Sequence, residues 1–594
     1  MSITTLTEMF LAGLEHDKPD CFLYKKDGAY VPLSTRQFYE NVRRIAAALV
    51  GFGVRRGDRV ALMAENCIHW PAVDYATLGV GAVLVPIYPT LTPDQAAYIT
   101  NDCGAEVVFV QGGERYQGML DQRPNMPKVR QFVAIDHDAA SDDTVALSHV
   151  LANVEPMSEA AFKESALQSK PQDLATFIYT SGTTGNPKGV MLSHDNLTSN
   201  LLSAARAIEI DSHQTGLSFL PLSHSFERIV DFIYFFKGAT IAYAESIQTV
   251  AQDLGEVQPH FFVAVPRVYE KVINKVRENV ANAPGLRRRI FAWAERVGRE
   301  ALPYRLRRES PPGALGLKLK IADALVFSKI RERLGGRFET ATSGGAPLAR
   351  DVAEFFWGAG IEIYEGYGLS ETSPVLTVNR PGKVKLGTVG AVIDGVELKI
   401  ADDGEVLAKG PNIMQGYHNL PAQTAETIDE DGWFHTGDIG EIDDEGFLAI
   451  TDRKKEIIVN AYGKNIAPAP IENELKSSRF IEQAVVIGDR RKFLSALLVP
   501  DFEALASWAA KNGLPADDRP ALLAADATRK LFAEEIAGVN AKLAKYEMVR
   551  AFDLIPEEFS IEGGELTPTQ KVKRRIVAEK YGEAIDALYA NAGD

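Results

Sequence analysis

Cysteine is scarce in this chain: only Cys21, Cys67 and Cys103 occur in 594 residues, at spacings that match neither a zinc site nor a disulfide framework. A reducing, cytoplasmic setting is expected, with each thiol a small core group rather than a nucleophile. Positive charge is also short. The net charge of −16 argues against general nucleic-acid binding. Long hydrophobic runs are missing as well: the most apolar stretch, 75–91, is broken by Gly79, Gly81, Pro86 and Pro89, and nothing approaches the roughly 20 apolar residues of a membrane span. Residues 2–16 carry Glu8 and Glu15 and read as a short amphipathic helix, not a signal peptide. No short-period repeat is visible. The length exceeds what one hydrophobic core supports, so several domains are expected.

Set against these absences is a polar loop. Between Tyr179 and Gly189 lie Thr180, Ser181, Gly182, Thr183, Thr184, Gly185 and Lys188. Residues 174–179 read as a buried strand, and a helical pattern begins at Asp195. A loop of this kind after a strand cradles phosphate: glycines let backbone N–H groups approach the anion, hydroxyls add donors, and lysine adds charge. The spacing of Gly182, Gly185 and Lys188 is not that of the P-loop, so ATP phosphates are expected without P-loop machinery.

Apolar runs at 106–110, 216–220, 240–243, 261–265, 338–342 and 361–364 alternate with helical patterns at 35–52, 196–208, 266–280 and 348–358. This alternation predicts an α/β fold. After Gly382, short strands with turn signals predict a small β subdomain. Asp452, Arg453, Lys454, Lys455 and Glu456 form a charged joint, followed by a small α+β region with strands near 483–487 and 494–499, helices at 524–545 and a basic tail helix. The segment from Arg287 to Lys320 holds ten Lys/Arg against three Asp/Glu. Its apolar positions Ile290, Trp293, Val297 and Ala301 fit a solvated helical hairpin, the favoured reading; a basic patch meeting a membrane surface is the other.

Several turns carry chemistry-bearing residues. Gly344, Gly345 and Ala346, after Ser343 and before Pro347, form either a tight turn or a flat seat for a base. Gly366, Tyr367, Gly368, Ser370 and Glu371 follow another strand; Glu371 is either a magnesium ligand or a helix-capping acid. Asp438, after His435, is a turn aspartate or an acceptor for two ribose hydroxyls. Lys571, Lys573, Arg574 and Arg575 are a solvated tail or contain one mobile lysine that offsets developing charge.

In order and spacing, the motifs at 179–189, 343–347, 367–372, 435–438, 452–472 and 566–575 resemble those of the adenylate-forming (AMP-binding) superfamily, from about Val31 to Arg575. Within it, 220–228, 265–271, 327–336 and the insertion at 287–320 resemble long-chain fatty-acyl-CoA synthetases. The resemblance implies a large N-terminal domain over 1–452, made of two α/β halves and a β subdomain over about 383–452. It also implies a small mobile α+β domain over 453–594, hinged near Lys455.

The resemblance implies roles residue by residue. Thr180, Ser181, Gly182, Thr183, Thr184, Gly185 and Lys188 line the phosphates. Gly344, Gly345, Ala346, Glu365, Gly366, Tyr367 and Gly368 enclose the adenine, with the Glu365 carboxylate accepting from its amino group. Ser370 lies near the α-phosphate, and Glu371 with Thr183 serves Mg²⁺. Asp438 and Arg453 hold the ribose. Lys571 is the catalytic lysine, with Thr569 and Gln570 where many relatives have Ser-Gly; Lys573 competes, but the spacing of Lys571 to Arg574 favours the former. His224 stands at the mouth of the acyl pocket, and Phe226, Phe232 and Phe235 either wall that pocket or fill core. Tyr462, Gly463 and Lys464 lie on the loop that meets CoA.

The implied reaction joins a fatty acid to CoA, converting ATP to AMP and pyrophosphate through an acyl-adenylate. The expected partners are these small molecules, with no nucleic acid and with a candidate contact to the inner membrane surface through Arg287 to Lys320. A ligase loading a carrier protein, a ligase for shorter or aryl acids, and a nucleotide-binding scaffold with an inactive site stay open.

Overall fold

The computed structural model describes residues 3–137, 144–180, 186–561, 563–567 and 571–591. Among these residues the chain forms two large, mainly parallel sheets. One has nine strands, in the order Ala391–Val392, Val375–Val378, Glu362–Gly368, Thr340–Ser343, Phe261–Ala264, Thr215–Ser218, Thr240–Tyr243, Phe22–Lys26 and Ala29–Leu33. The other has eight, in the order Gly416–Tyr417, Lys188–Ser193, Leu174–Thr180, Val83–Ile87, Arg59–Met63, Val107–Val110, Gln131–Ala134 and Thr144–Ala146. Both sheets feed one core: Phe22, Ile241 and Phe261 from the first meet Val60, Leu84 and Ile178 from the second through helices between them. Helix Thr35–Gly51 starts at a Ser34 cap paired with Gln37, and helix Ser225–Lys237 stops at Gly238, whose φ is +73°.

A buried ion pair ties this layer together. Arg228 donates to both carboxylate oxygens of Asp74 at 2.8 and 2.6 Å, and to the Thr176 hydroxyl at 2.8 Å. Helix Ser225–Lys237 is thereby bolted to helix His69–Gly79 and to strand Leu174–Thr180.

A four-stranded antiparallel sheet follows, ordered Glu397–Ile400, Glu405–Lys409, Phe434–Ile442 and Leu448–Arg453. Beyond a turn at 454–456, strands Ile481–Ile487, Leu494–Pro500 and Val549–Leu554 pack with helices Pro468–Lys476 and Asp526–Asn540 around a separate core.

Strand Lys188–Ser193, ahead of helix His194–Ala207, is not among the expected strands. It pairs antiparallel with Leu174–Thr180, Thr180 opposite Lys188. Its burial of Val190 and Leu192 is a short alternating signal, masked in the sequence by the glycines and hydroxyls before it. The basic segment forms helices Gly285–Arg305 and Gly313–Ala322, with Phe291, Ala294, Val297, Ala301 and Leu302 buried. Among the described residues no helix is long and apolar enough to cross a membrane.

Candidate active site

The nine-stranded sheet ends its central strands in two turns. After strand Thr340–Ser343 comes the turn 344–347; Gly344 donates to Ala264 O at 3.2 Å, and a methyl group at Gly344 would lie 2.9 Å from the Phe226 ring. After strand Glu362–Gly368, the turn Ser370–Thr372 carries Glu371. Gly368 is required there, because any side chain would collide with the Pro374 carbonyl. Asn412 donates to Thr372 O at 2.8 Å, fixing the turn from outside.

Glu371 accepts from the Tyr417 hydroxyl at 3.0 Å, and the Lys188 ammonium lies 4.9 Å over the Tyr417 ring. Tyr417 thus joins strand Lys188–Ser193 to the turn that carries Glu371. No local pattern points to it, since its strand pairs with a partner more than two hundred residues away. Thr180 and Lys188 are described; Ser181, Gly182, Thr183, Thr184 and Gly185 lie outside the described residues. The Ser370 hydroxyl is 3.3 Å from that of Ser225, at the start of helix Ser225–Lys237.

Asp438 and Arg453 face each other across paired strands, with Arg453 Nε 3.1 Å from Asp438 Oδ1. The Tyr367 hydroxyl donates to the other carboxylate oxygen at 2.7 Å. Burial, followed by the Asp438 charge, keeps the Tyr367 phenol protonated. The Asp438 carboxylate is therefore buried, acceptor-only and oriented from both sides.

Glu365 amends one expectation. Its carboxyl is buried near Leu348 N, and Oε1 has no partner. Burial raises it to about 8, so at neutral pH the group is an uncharged carboxyl rather than the carboxylate foreseen. It remains an unpartnered polar atom beside the turn 344–347, where a base amino group would satisfy it. Gly345, with φ +80°, and Ala346 lie on the exposed side of that turn, and Gly366 packs against Thr377 O.

His224 caps helix Ser225–Lys237, its Nδ1 accepting from Phe226 N at 3.1 Å. Burial, with a smaller push from Lys571, lowers it to about 4, so the imidazole is neutral. Its proton then sits on Nε2. Of the three phenylalanines, only Phe226 lies against the turn 344–347. Phe232 and Phe235 are 4% and 3% exposed and belong to the core. Phe235 stacks on Phe10 at 5.5 Å, and Phe232 meets Tyr75 edge-on at 5.2 Å. Phe232 and Phe235 thus fill core rather than wall a pocket, their rings being enclosed by other aromatics.

Lys571 reaches this cleft from the far end of the chain. Its Nζ environment contains Arg453, Asp438, Glu371 and Glu456. Desolvation of the ammonium, and then Arg453, lower it to about 8, while by surface area the residue is exposed. Arg574, three residues on, bonds Glu472 at 2.5 and 3.1 Å and Val486 O at 3.0 Å. Lys573 is half-buried, and its backbone donates to Glu565 O at 2.7 Å.

Lys455 is exposed on the turn 454–456. On one side Lys454 pairs with Asp403 at 2.6 Å and Glu405 at 2.9 Å; on the other, Glu456 faces Arg574 at 3.7 Å. Tyr462, Gly463 and Lys464 form an exposed loop in which Asn460 Oδ1 accepts from Tyr462 N and Lys464 N, both at 3.0 Å. The Gly463 φ is +73°.

Glu371 fits a magnesium ligand: it is a hard carboxylate donor with one oxygen oriented by Tyr417.

Residues 15–418 match the AMP-binding enzyme family and residues 455–593 match the AMP-binding enzyme C-terminal domain, so the chain belongs to the AMP-binding enzymes. It is 39% identical over 586 residues to the long-chain-fatty-acid–CoA ligase FadD15 of Mycobacterium bovis, covering 97% of this chain and 95% of the relative. It is 33% identical to the human long-chain-fatty-acid–CoA ligase 1, covering 99% of this chain and 87% of that one. Among solved structures, the adenylation domain of a Mycobacterium chelonae carboxylate reductase superposes with a TM-score of 0.76 at 25% identity, covering 99% of this chain and 91% of that one.

Proposed function

We propose that the protein is an AMP-forming acid–thiol ligase for long-chain fatty acids, converting fatty acid, ATP and CoA to acyl-CoA, AMP and pyrophosphate. The observation that carries this reading is the buried Asp438 carboxylate oriented by Arg453 and Tyr367, with Lys571 within electrostatic reach of it, of Glu371 and of His224. The ligase names of the full-length relatives support the substrate class.

In the first step a fatty carboxylate attacks the α-phosphorus of ATP, and pyrophosphate leaves. Two anions must approach; at 4 Å and an effective dielectric of 20, like charges repel by about 4 kcal/mol. The Lys571 ammonium offsets that repulsion and disperses charge on the α-phosphate. Asp438 accepts from the ribose hydroxyls, and Glu365 and the turn 344–346 seat the adenine. His224, proton on Nε2, donates to the incoming carboxylate. Glu371 would hold Mg²⁺, whose charge would neutralise phosphate oxygens. Thr180 and Lys188 anchor the two ends of the phosphate loop.

In the second step the CoA thiol attacks the acyl carbonyl and AMP leaves. Lys571 would obstruct that approach if it stayed. Lys455, between one residue tied to the β subdomain and one tied to Arg574, supports a hinge between a domain over 1–452 and one over 453–594. Rotation there withdraws Lys571 and brings Tyr462, Gly463 and Lys464 to the thiol. Phe226 walls the acyl entrance.

Contact with an anionic membrane surface is a second reading for Arg287 to Lys320. Exposed Leu286, Leu317, Ile321 and Leu325 (71, 63, 44 and 46%) accompany Arg288 and Arg289 there. Sedimentation with phosphatidylglycerol vesicles, lost on Leu286→Glu, is expected; equal binding to neutral vesicles contradicts it.

The reaction is tested by pyrophosphate release with acids from acetate to icosanoate, with and without CoA. Release that requires a long acid, and acyl-CoA formation when CoA is present, are expected. Release without any acid, or acyl transfer only to a carrier protein, overturns the assignment.

A further inference from the structure

The lysine-bearing part of the chain touches the large sheets through a charged seam. Helix Pro266–Ala281 carries Arg267, Lys271 and Lys275 four residues apart, hence on one face. Opposite them stand three carboxylates beyond the joint: Glu482, Asp501 and Glu503. Arg267 donates to Glu482, and Lys271 lies 3.5 Å from the same carboxylate. Lys275 donates to Glu278 on its own helix at 3.0 Å; that carboxylate first, and Glu503 and Asp501 across the seam after it, raise its affinity for its proton. At the far end of the helix Lys511 donates to the Asn282 side chain at 2.8 Å.

Both sides of the seam lead directly to the cleft. Helix Pro266–Ala281 continues strand Phe261–Ala264, whose last carbonyl holds Gly344. Glu482 lies on strand Ile481–Ile487; four residues along it, Val486 O accepts from Arg574. Lys571 is three residues from Arg574, and Lys571 and Thr567 exchange bonds of 3.0 and 2.8 Å. The seam therefore fixes one end of a strand whose other end fixes the lysine. At 18% side-chain exposure for Glu482 and 29% for Arg267, the pair is sheltered enough to resist screening yet can separate without stranding a fully buried charge.

We propose that Glu482, held by Arg267 and Lys271, is a positioning residue for adenylation: it latches the lysine-bearing domain in the orientation that keeps Lys571 in the cleft. The proposal rests on the reading of Lys571 given above. Releasing the latch depopulates that orientation, so it slows adenylate formation and leaves thiol attack, which needs Lys571 withdrawn, unimpaired.

The test measures both half-reactions on the full chain: pyrophosphate release from ATP and palmitate without CoA, and acyl-CoA formation from supplied palmitoyl-adenylate. Glu482→Arg is expected to slow adenylation about 5–150-fold, the range of ordinary conformational couplings, and to leave thiolysis at the wild-type rate. The swapped pair Glu482→Arg with Arg267→Glu is expected to recover adenylation. Wild-type adenylation in Glu482→Arg, an equal loss of both half-reactions, or no recovery in the swap overturns the latch. Lys571→Ala runs alongside. If it is inactive in adenylation while Glu482→Arg is not, the latch alone fails; if Lys571→Ala adenylates normally, the reading of the lysine itself fails.

Discussion

The nucleotide side and the acyl side of the cleft present opposite cases. On the nucleotide side, residues from distant turns converge: Asp438 meets Arg453 and Tyr367, Glu371 meets Tyr417, and Lys571 arrives among them. On the acyl side, one aromatic-rich helix divides its labour. Phe226 lies against Gly344, while Phe232 and Phe235 vanish into the core. Buried polar groups, as at Asp438 and Glu365, need a partner or a ligand to satisfy them. Aromatic residues have one dominant reason for their positions, burial, and only long-range packing decides which of them remain for a ligand.

The comparison breaks most readily at Phe235. Phe235→Ala is expected to cost about 3–5 kcal/mol of stability, as for a core phenylalanine, and to leave the preference among acids unchanged. Denaturant unfolding with the acid series checks both; a changed chain-length preference at undiminished stability would return Phe235 to the acyl wall. Asp438→Asn is expected to raise the KM for ATP about 10–100-fold by weakening a charged acceptor, without slowing thiolysis of supplied adenylate. Steady-state kinetics in ATP read this directly. Phe226→Ala is expected to shift the ratio of kcat/KM between long and medium acids about tenfold, the scale of apolar-pocket discrimination. An unchanged ratio would leave the acyl side without any residue from this helix.

The smallest effect concerns Glu365. Its folded value of about 8 lies above the ordinary carboxyl value of 4.5, so the folded chain holds an extra proton between those limits. Stability from this group is complete below about 4.5 and is lost as pH rises through about 8. Glu365→Gln keeps the shape and removes the titration. Its unfolding free energy is expected to fall less between pH 5 and 8 than that of the wild type, as measured by urea unfolding at the two values; parallel pH profiles would contradict the buried neutral carboxyl.

The α/β alternation was legible because strands such as Thr240–Tyr243 are buried on both faces and read as short apolar runs. The turns at 344–346 and 366–371 were legible because glycine is needed where backbones touch. Other features were not, because they depend on partners remote in sequence. Arg228 and Asp74, 154 positions apart, give no local sign of pairing. Tyr417 is an ordinary tyrosine until its strand joins Lys188–Ser193. The neutral state of Glu365 follows from how deeply it is enclosed, which composition does not record. Phe232 and Phe235 were ambiguous for the same reason, since a wall and a core use the same residues.

The central claim is that Lys571 serves charge dispersal in adenylation and has no part in thiol attack. Lys571→Ala, assayed separately for pyrophosphate release from ATP and fatty acid and for acyl-CoA formation from supplied acyl-adenylate, tests it. The account predicts a loss of about 10²–10³-fold in the first reaction and a wild-type rate in the second; an equal loss in both would contradict it.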